Sequence, residues 1–160
     1  MLWKHFPLTI LTSPFVSNLT SPFVNNTIFI SVFGGRDGSH LLNTAEHFDI
    51  RRPQFNHLAP MRGRRSGASA AVINGKIYVA GGWSFSNFKY LTTVEMFVVY
   101  VNIKYCIFLF RYDPRADRWM HGPALNKPRS WFSLFSDENQ LLALGGYNGY
   151  FFKSNWNESI

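Results

Sequence analysis

SGASAAVINGKIYVAGG, Ser66–Gly82, alternates small and apolar residues, turns at Asn74-Gly75, runs apolar from Ile77 to Ala80 and stops at two glycines. This is the pattern of a β-hairpin whose second strand is buried on both faces. Glycine at the stop permits positive φ and lets a neighbouring backbone or ring approach where a β-carbon would block it. The same ending closes FISVFGG at Gly34-Gly35 and QLLALGG at Gly145-Gly146, so the hairpin belongs to a repeated unit.

Working outward, the landmarks between glycine pairs keep fixed intervals. Arg65 lies 16 residues before Gly81, as Arg129 does before Gly145; Phe55 lies 10 before Arg65, as Trp119 does before Arg129. Phe48 precedes Phe55 by 7 residues, and Tyr112 precedes Trp119 by 7. Each unit reads as four short strands. The third leads from TTVE or NTAEHFD into a turn, marked in the second unit by Asp113-Pro114, and the fourth runs through the Trp119 position. Two large rings on adjacent strands can fill the space between sheets, so Phe48, Phe55, Tyr112 and Trp119 are expected in the core rather than at a ligand.

The glycine pairs start 47 and then 64 residues apart. The excess is a loop two residues longer plus a 15-residue insertion, Met96–Phe110, expected to split the third strand of the second unit. Its residues are largely those of A/T-rich codons, which points to a retained intron or gene-model error; the other reading is a β-rich extension of the hairpin. With Asn102 and Lys104 in its middle it is too short to span a bilayer, which takes roughly 20 predominantly apolar residues.

Paired glycines, an acidic residue, then an aromatic with Trp seven later, on a period near 50, resemble the kelch repeat, whose units are propeller blades. GGRDGSHLLNTAEHFD, APMRGRRSGASAAVINGKIYVAGG and YDPRADRW look most like the kelch-like adaptors that join such a propeller to a BTB domain. The resemblance runs from about Ile28 to Tyr150. It implies an all-β fold, a partial β-propeller of about two to three four-stranded antiparallel blades over residues 28–152. A partial first unit, a full second and a third ending after its second strand are expected. Residues 1–27, with LTSPFVSN at Leu11–Asn18 copied as LTSPFVNN at Leu19–Asn26, are expected to be a weakly ordered, low-complexity leader, and residues 153–160 a tail.

In that family the residue after the glycine pair and the Arg-Ser opening the first strand commonly face the propeller mouth. By motif these are Arg36, Trp83 and Tyr147, Arg65 with Ser66, and Arg129 with Ser130. Arginine forks take carboxylates in bidentate fashion and aromatics add contact area, so a protein or peptide partner, acidic or phosphorylated, is expected. The other reading has both Arg65 and Arg129 as structural, bonding strand ends within the blade. The resemblance implies the substrate-recognition part of a cullin-RING ubiquitin ligase in the cytoplasm, with cullin-3 reached only through a BTB domain that these residues do not contain. An actin or cytoskeletal scaffold shares the same fold.

Sixteen Lys and Arg against nine Asp and Glu give +7, which would suit an anionic partner. Arg51, Arg52, Arg62, Arg64 and Arg65 could form a nucleic-acid surface, but no aromatic stacking platform of a known nucleic-acid module accompanies them, and solvated loop charge is the better reading. Cys106 is the only cysteine and the five histidines fall at no metal-binding spacing, so neither disulfide nor zinc site is expected. No nucleophile elbow, phosphate loop or paired-carboxylate motif occurs. A copper oxidase on this fold would need its cysteine outside the insertion. A binding module with no cofactor and no membrane segment is therefore expected.

Overall fold

The structure, a computed structural model, describes residues 9–13, 29–49, 52–73, 76–86, 89–98, 118–137, 140–152 and 157–159. Every element among them is a strand, and no helix is long and apolar enough to cross a membrane. Three antiparallel sheets lie side by side. The first has the order β1-β2-β5-β6, from Thr9–Ser13, Phe29–Phe33, Ala45–Asp49 and Gln54–Leu58. The second joins β7 (Ser69–Ile73), β8 (Lys76–Ala80), β11 (Val94–Val98) and β12 (Trp119–His121) in the same sense. The third holds β13 (Ser133–Asp137), β14 (Gln140–Leu144) and β15 (Asn157–Ser159). Two small hairpins follow glycine pairs: β3 with β4 (Arg36–Asp37, His40–Leu41), and β9 with β10 (Trp83–Ser84, Lys89–Tyr90). This is a partial kelch propeller, each sheet a blade, with the first strand β7 of the middle blade lying beside both β1 and β13.

The blades adhere through two apolar layers that meet the middle blade from opposite sides. Ala70, Ile77, Val79, Phe97 and Trp119 pack on Phe33, Ala45 and Met61 of the first unit. Ala71, Ala80 and Val94 pack with Leu125 against Phe132, Leu134, Leu141 and Ala143 of the third. Successive strand residues point to opposite faces, so β8 sends Ile77 and Val79 one way and Tyr78 and Ala80 the other. That is the double-sided apolar character read from KIYVA.

Four expectations are corrected. Residues 9–13, placed in a weakly ordered leader, form β1, pairing from Thr9 opposite Phe33 to Ser13 opposite Phe29. Without it β2 would present an unpaired row of backbone groups beside β7. The first unit is thus a full blade, and the tandem copy at Leu19–Asn26 lies outside the described residues. The third unit continues past its second strand, since residues 157–159, read as tail, pair with β14 as β15.

The third strand of the second unit is not split. Val94–Val98 pairs along its whole length with β8, and Phe97 lies opposite Trp119 just as Phe48 lies opposite Phe55. The extra residues therefore fall between third and fourth strands, where a hairpin tolerates added length at small entropic cost. Phe97 takes the place expected of Tyr112, which lies outside the described residues.

The fourth correction concerns Phe55, expected in the core but 45% exposed, whereas Trp119 is 5% exposed. Trp119 has a preceding blade to pack against: its ring meets Phe33 edge-on at 5.7 Å, and its Nε1 donates to Ala59 O at 2.7 Å. Among the described residues no blade precedes the first, and the Phe55 ring meets its cross-strand partner Phe48 at 4.9 Å.

Candidate functional site

Each glycine pair lies against the Arg-Ser step of the next blade, and two layers of chemistry form around it, one buried and one on the rim. Arg65 makes the buried layer. Its carbonyl accepts from Gly35 N of the first blade at 2.8 Å, while its Nη1 donates to Gly81 O at 2.9 Å and Thr93 O at 3.0 Å of the second. Its Nη2 meets Glu95 Oε1 at 2.6 Å, with both side chains only 2% exposed. Glu95 also accepts backbone N–H groups from Arg62 at 2.7 Å and Gly63 at 3.0 Å. Burial pulls the Arg65 guanidinium below its ordinary value, and the charge and hydrogen bond of Glu95 oppose the shift.

Arg129 repeats the arrangement one blade on. Its carbonyl accepts from Gly82 N at 2.8 Å and its Nη1 donates to Gly145 O at 2.9 Å, with its guanidinium 4.7 Å from the Phe152 ring centre. Backbone register carries the repeat further: Glu158 lies opposite Ala143 as Glu95 lies opposite Val79 and Glu46 opposite Val32.

Arg65 and Arg129 were candidates for an open binding mouth. Their burial corrects that reading, and the alternative, arginines bonding strand ends, describes the geometry. Ser130, fully buried, goes with them. The reason is local: Ser130 exchanges both backbone hydrogen bonds with Tyr147, and Ser66 does the same with Trp83, which fixes each Arg-Ser step against its own blade. Arg65 is thereby withdrawn from the basic cluster considered for nucleic acid, and Arg64 donates to Leu41 O at 2.9 Å. Arg51 lies outside the described residues. No group of His, Cys, Asp and Glu that could hold a metal occurs among the described residues.

Arg36, Trp83 and Tyr147, from three successive glycine-pair loops, share the rim layer. The Arg36 guanidinium lies 5.5 Å from the Phe85 ring centre, and Phe85 meets Trp83 edge-on at 4.5 Å. Trp83 pairs across the small hairpin with Tyr90, whose ring meets Tyr147 at 5.6 Å. Tyr147 contacts Trp131 at 5.7 Å and Phe151 at 4.9 Å. The result is a ladder of rings across both blade junctions, with Arg36 at one end and Trp131 and Phe151, 58% and 84% exposed, at the other.

Sequence reasoning missed Trp131, Phe85, Tyr90 and Phe151. Trp131 left a legible signal: it stands two residues after Arg129, where the preceding unit has Gly67 two after Arg65. Both positions have positive φ, 64° at Gly67 and 52° at Trp131, and Trp131 is the one described residue other than glycine that does so. A side chain there carries strain of order 1–3 kcal/mol, which clusters at functional sites. The indole lies over Gly67, where a β-carbon would sit 2.8 Å from Trp131 Nε1.

The family model described as Kelch motif matches residues 17–62 and 64–99, just over half of the chain, starting within the segment read as leader. Kelch-like protein 9 of Mus musculus is 34% identical over 99 residues, 62% of this chain and 14% of its own length. Kelch-like protein 13 of Homo sapiens is 34% identical over 101 residues, 63% of this chain and 14% of its own. The Influenza virus NS1A-binding protein homolog of Mus musculus is 32% identical over 93 residues, 58% of this chain and 12% of its own. The matched part thus spans about a seventh of the kelch-like relatives' length.

Proposed function

The chain belongs to the kelch-repeat family, a protein-interaction module, and on that premise we propose that the glycine-pair rim receives an acidic or phosphorylated peptide segment of a protein partner. The observation that carries the reading is Trp131, held at positive φ and 58% exposed, at the end of a ring ladder that starts from Arg36. Exposed aromatic anchors supply contact area at low entropic cost, and Trp, Tyr and Arg dominate the energetics of protein interfaces. Arg36 and Lys89 are both exposed on the hairpins that follow their glycine pairs and supply the charge that selects acidic groups. Ser66, half-buried and paired through its backbone with Trp83, adds a hydroxyl. Buried Arg65 and Arg129 hold the rim in shape and do not touch the peptide.

In a longer protein carrying a BTB domain, such a rim would serve as the substrate-recognition part of a cytoplasmic cullin-3 ubiquitin ligase. The test is selection of a random displayed peptide library on the 160-residue chain, followed by binding to an R36E/W131G variant. Enrichment of Asp, Glu or phosphoserine beside an apolar residue, with binding lost in the variant, supports the reading. Peptides without acidic bias, or binding indifferent to both substitutions, overturn it.

A further inference from the structure

We propose that Ser39 is a phosphorylation site, and that a phosphate there switches off the end of the rim that selects acidic groups. The effect on binding rests on the rim reading above; the modification itself does not.

Ser39 stands in the turn that joins β3 to β4, at the tip of the hairpin following the first glycine pair, and is exposed. That exposure belongs to the tip and not to the edge of the array. Ser86, five residues after Gly81 as Ser39 is five after Gly34, is exposed too, in a blade with a neighbour packed on either side. A β-carbon on Gly38, with φ of 54°, would meet no described atom within 4 Å, so a phosphate beside it has room.

Of the two tips, only the first carries the charge that a kinase and a phosphate both use. Arg36 stands three residues before Ser39, whereas Trp83 holds that place before Ser86. Ser39 is the one serine or threonine in the sequence with an arginine at that spacing. Serine kinases with an acidic cleft take up such an arginine by charge complementarity. Two residue pairs hold the hairpin, Arg36 with Leu41 and Asp37 with His40, so its tip opens into an enzyme cleft at far lower cost than a blade strand would. The step moves the γ-phosphoryl group of ATP to Ser39 Oγ, breaking the bond to ADP and releasing the hydroxyl proton.

Geometry brings the product onto Arg36. The Arg36 Nε donates to Gly38 O, the carbonyl joined directly to the Ser39 nitrogen, so the guanidinium already lies against the tip. That contact uses one N–H donor and leaves the fork for phosphate oxygens. His40 Nδ1, 3.4 Å from Ser39 Oγ, adds a second nitrogen beside the hydroxyl. Phosphoserine carries roughly −1.5 to −2 charge at neutral pH and pairs with a nearby arginine through new charge-assisted hydrogen bonds. Arg36 is then drawn from the Phe85 ring, whose centre lies 5.5 Å from its guanidinium, and the hairpin, with Asp37 in it, turns net negative. An acidic peptide is repelled where it was held.

Incubated with ATP and a serine kinase that requires arginine three residues before its target, the folded 160-residue chain should take up phosphate at Ser39. S39A should abolish the uptake and S86A should leave it intact. No uptake, or uptake that S39A leaves intact, overturns the proposal. With phosphoserine installed at position 39 during translation, a selected acidic peptide should bind about tenfold more weakly than it binds the unmodified chain. Unchanged affinity for a peptide that the unmodified R36E/W131G variant loses overturns the switch and leaves the rim reading standing. A peptide indifferent to R36E/W131G sinks the rim reading instead, and phosphorus NMR then decides the Arg36 contact. The second ionisation of the phosphoserine should lie below its ordinary value of roughly 6 and return to it in R36Q. An ordinary value that R36Q does not move overturns the proposal.

Discussion

Arg65 and Glu95 meet at 2.6 Å within the second blade, both almost completely removed from solvent. Breaking a buried pair strands the remaining charge and costs about 3–5 kcal/mol. R65M and E95Q should each lower stability on that scale in urea unfolding. Their coupling in the double variant should be on the order of 2 kcal/mol, since part of each loss is the orphaned partner. The double variant should not return to wild type, because Glu95 also accepts from Arg62 and Gly63.

Trp131 is strained where glycine would not be. W131G should leave stability within about 1 kcal/mol of wild type, as relief of the backbone offsets the lost contacts with Tyr147 and Gly67. W131A keeps the strain and loses the ring, so its urea midpoint should fall below that of W131G. Both should abolish binding of selected peptides, which separates the rim's recognition role from its folding role.

The rings at the fourth-strand position should differ sharply. W119A removes a buried indole and its hydrogen bond to Ala59 and should cost about 3–5 kcal/mol in thermal or urea unfolding. F55A, at the equivalent place but with a half-exposed side chain, should cost under about 1 kcal/mol.

Tyr90 titrates above the ordinary tyrosine range, pushed up by burial and then by the charge and hydrogen bond of Tyr147. A raised folded-state value means that its contribution to stability is whole below the unfolded value, roughly pH 10, and is lost as pH climbs through the folded one. Spectrophotometric titration of Y147F should bring Tyr90 back toward the ordinary range and reduce the loss of stability in alkali.

Much of the blade was legible because its signals are local. Paired glycines and the both-face apolarity of KIYVA each specify backbone or burial without reference to distant residues, and the glycine pairs set all three units in register; the turn read at Asn74-Gly75 lies outside the described residues. What was not legible depends on neighbours. The β1 strand is five residues followed by Pro14 in a repetitive segment, and only the unpaired edge of β2 gives it a place. Phe97 takes the role assigned to Tyr112 because pairing with β8 extends through Val98, whatever follows in the chain. Arg65 reads equally well as ligand or strut until Glu95, 30 residues on, is seen beside it. Trp131 was visible as a departure from Gly67, but its meaning needed the sign of φ.

The glycine-pair rim is the surface proposed to meet a partner. Hydrogen exchange of the chain with and without a selected acidic peptide maps that surface directly. Added protection should fall on the loops at residues 35–42, 82–91 and 146–152. Protection confined instead to the opposite hairpin ends, around Pro53 and Lys76, would contradict it.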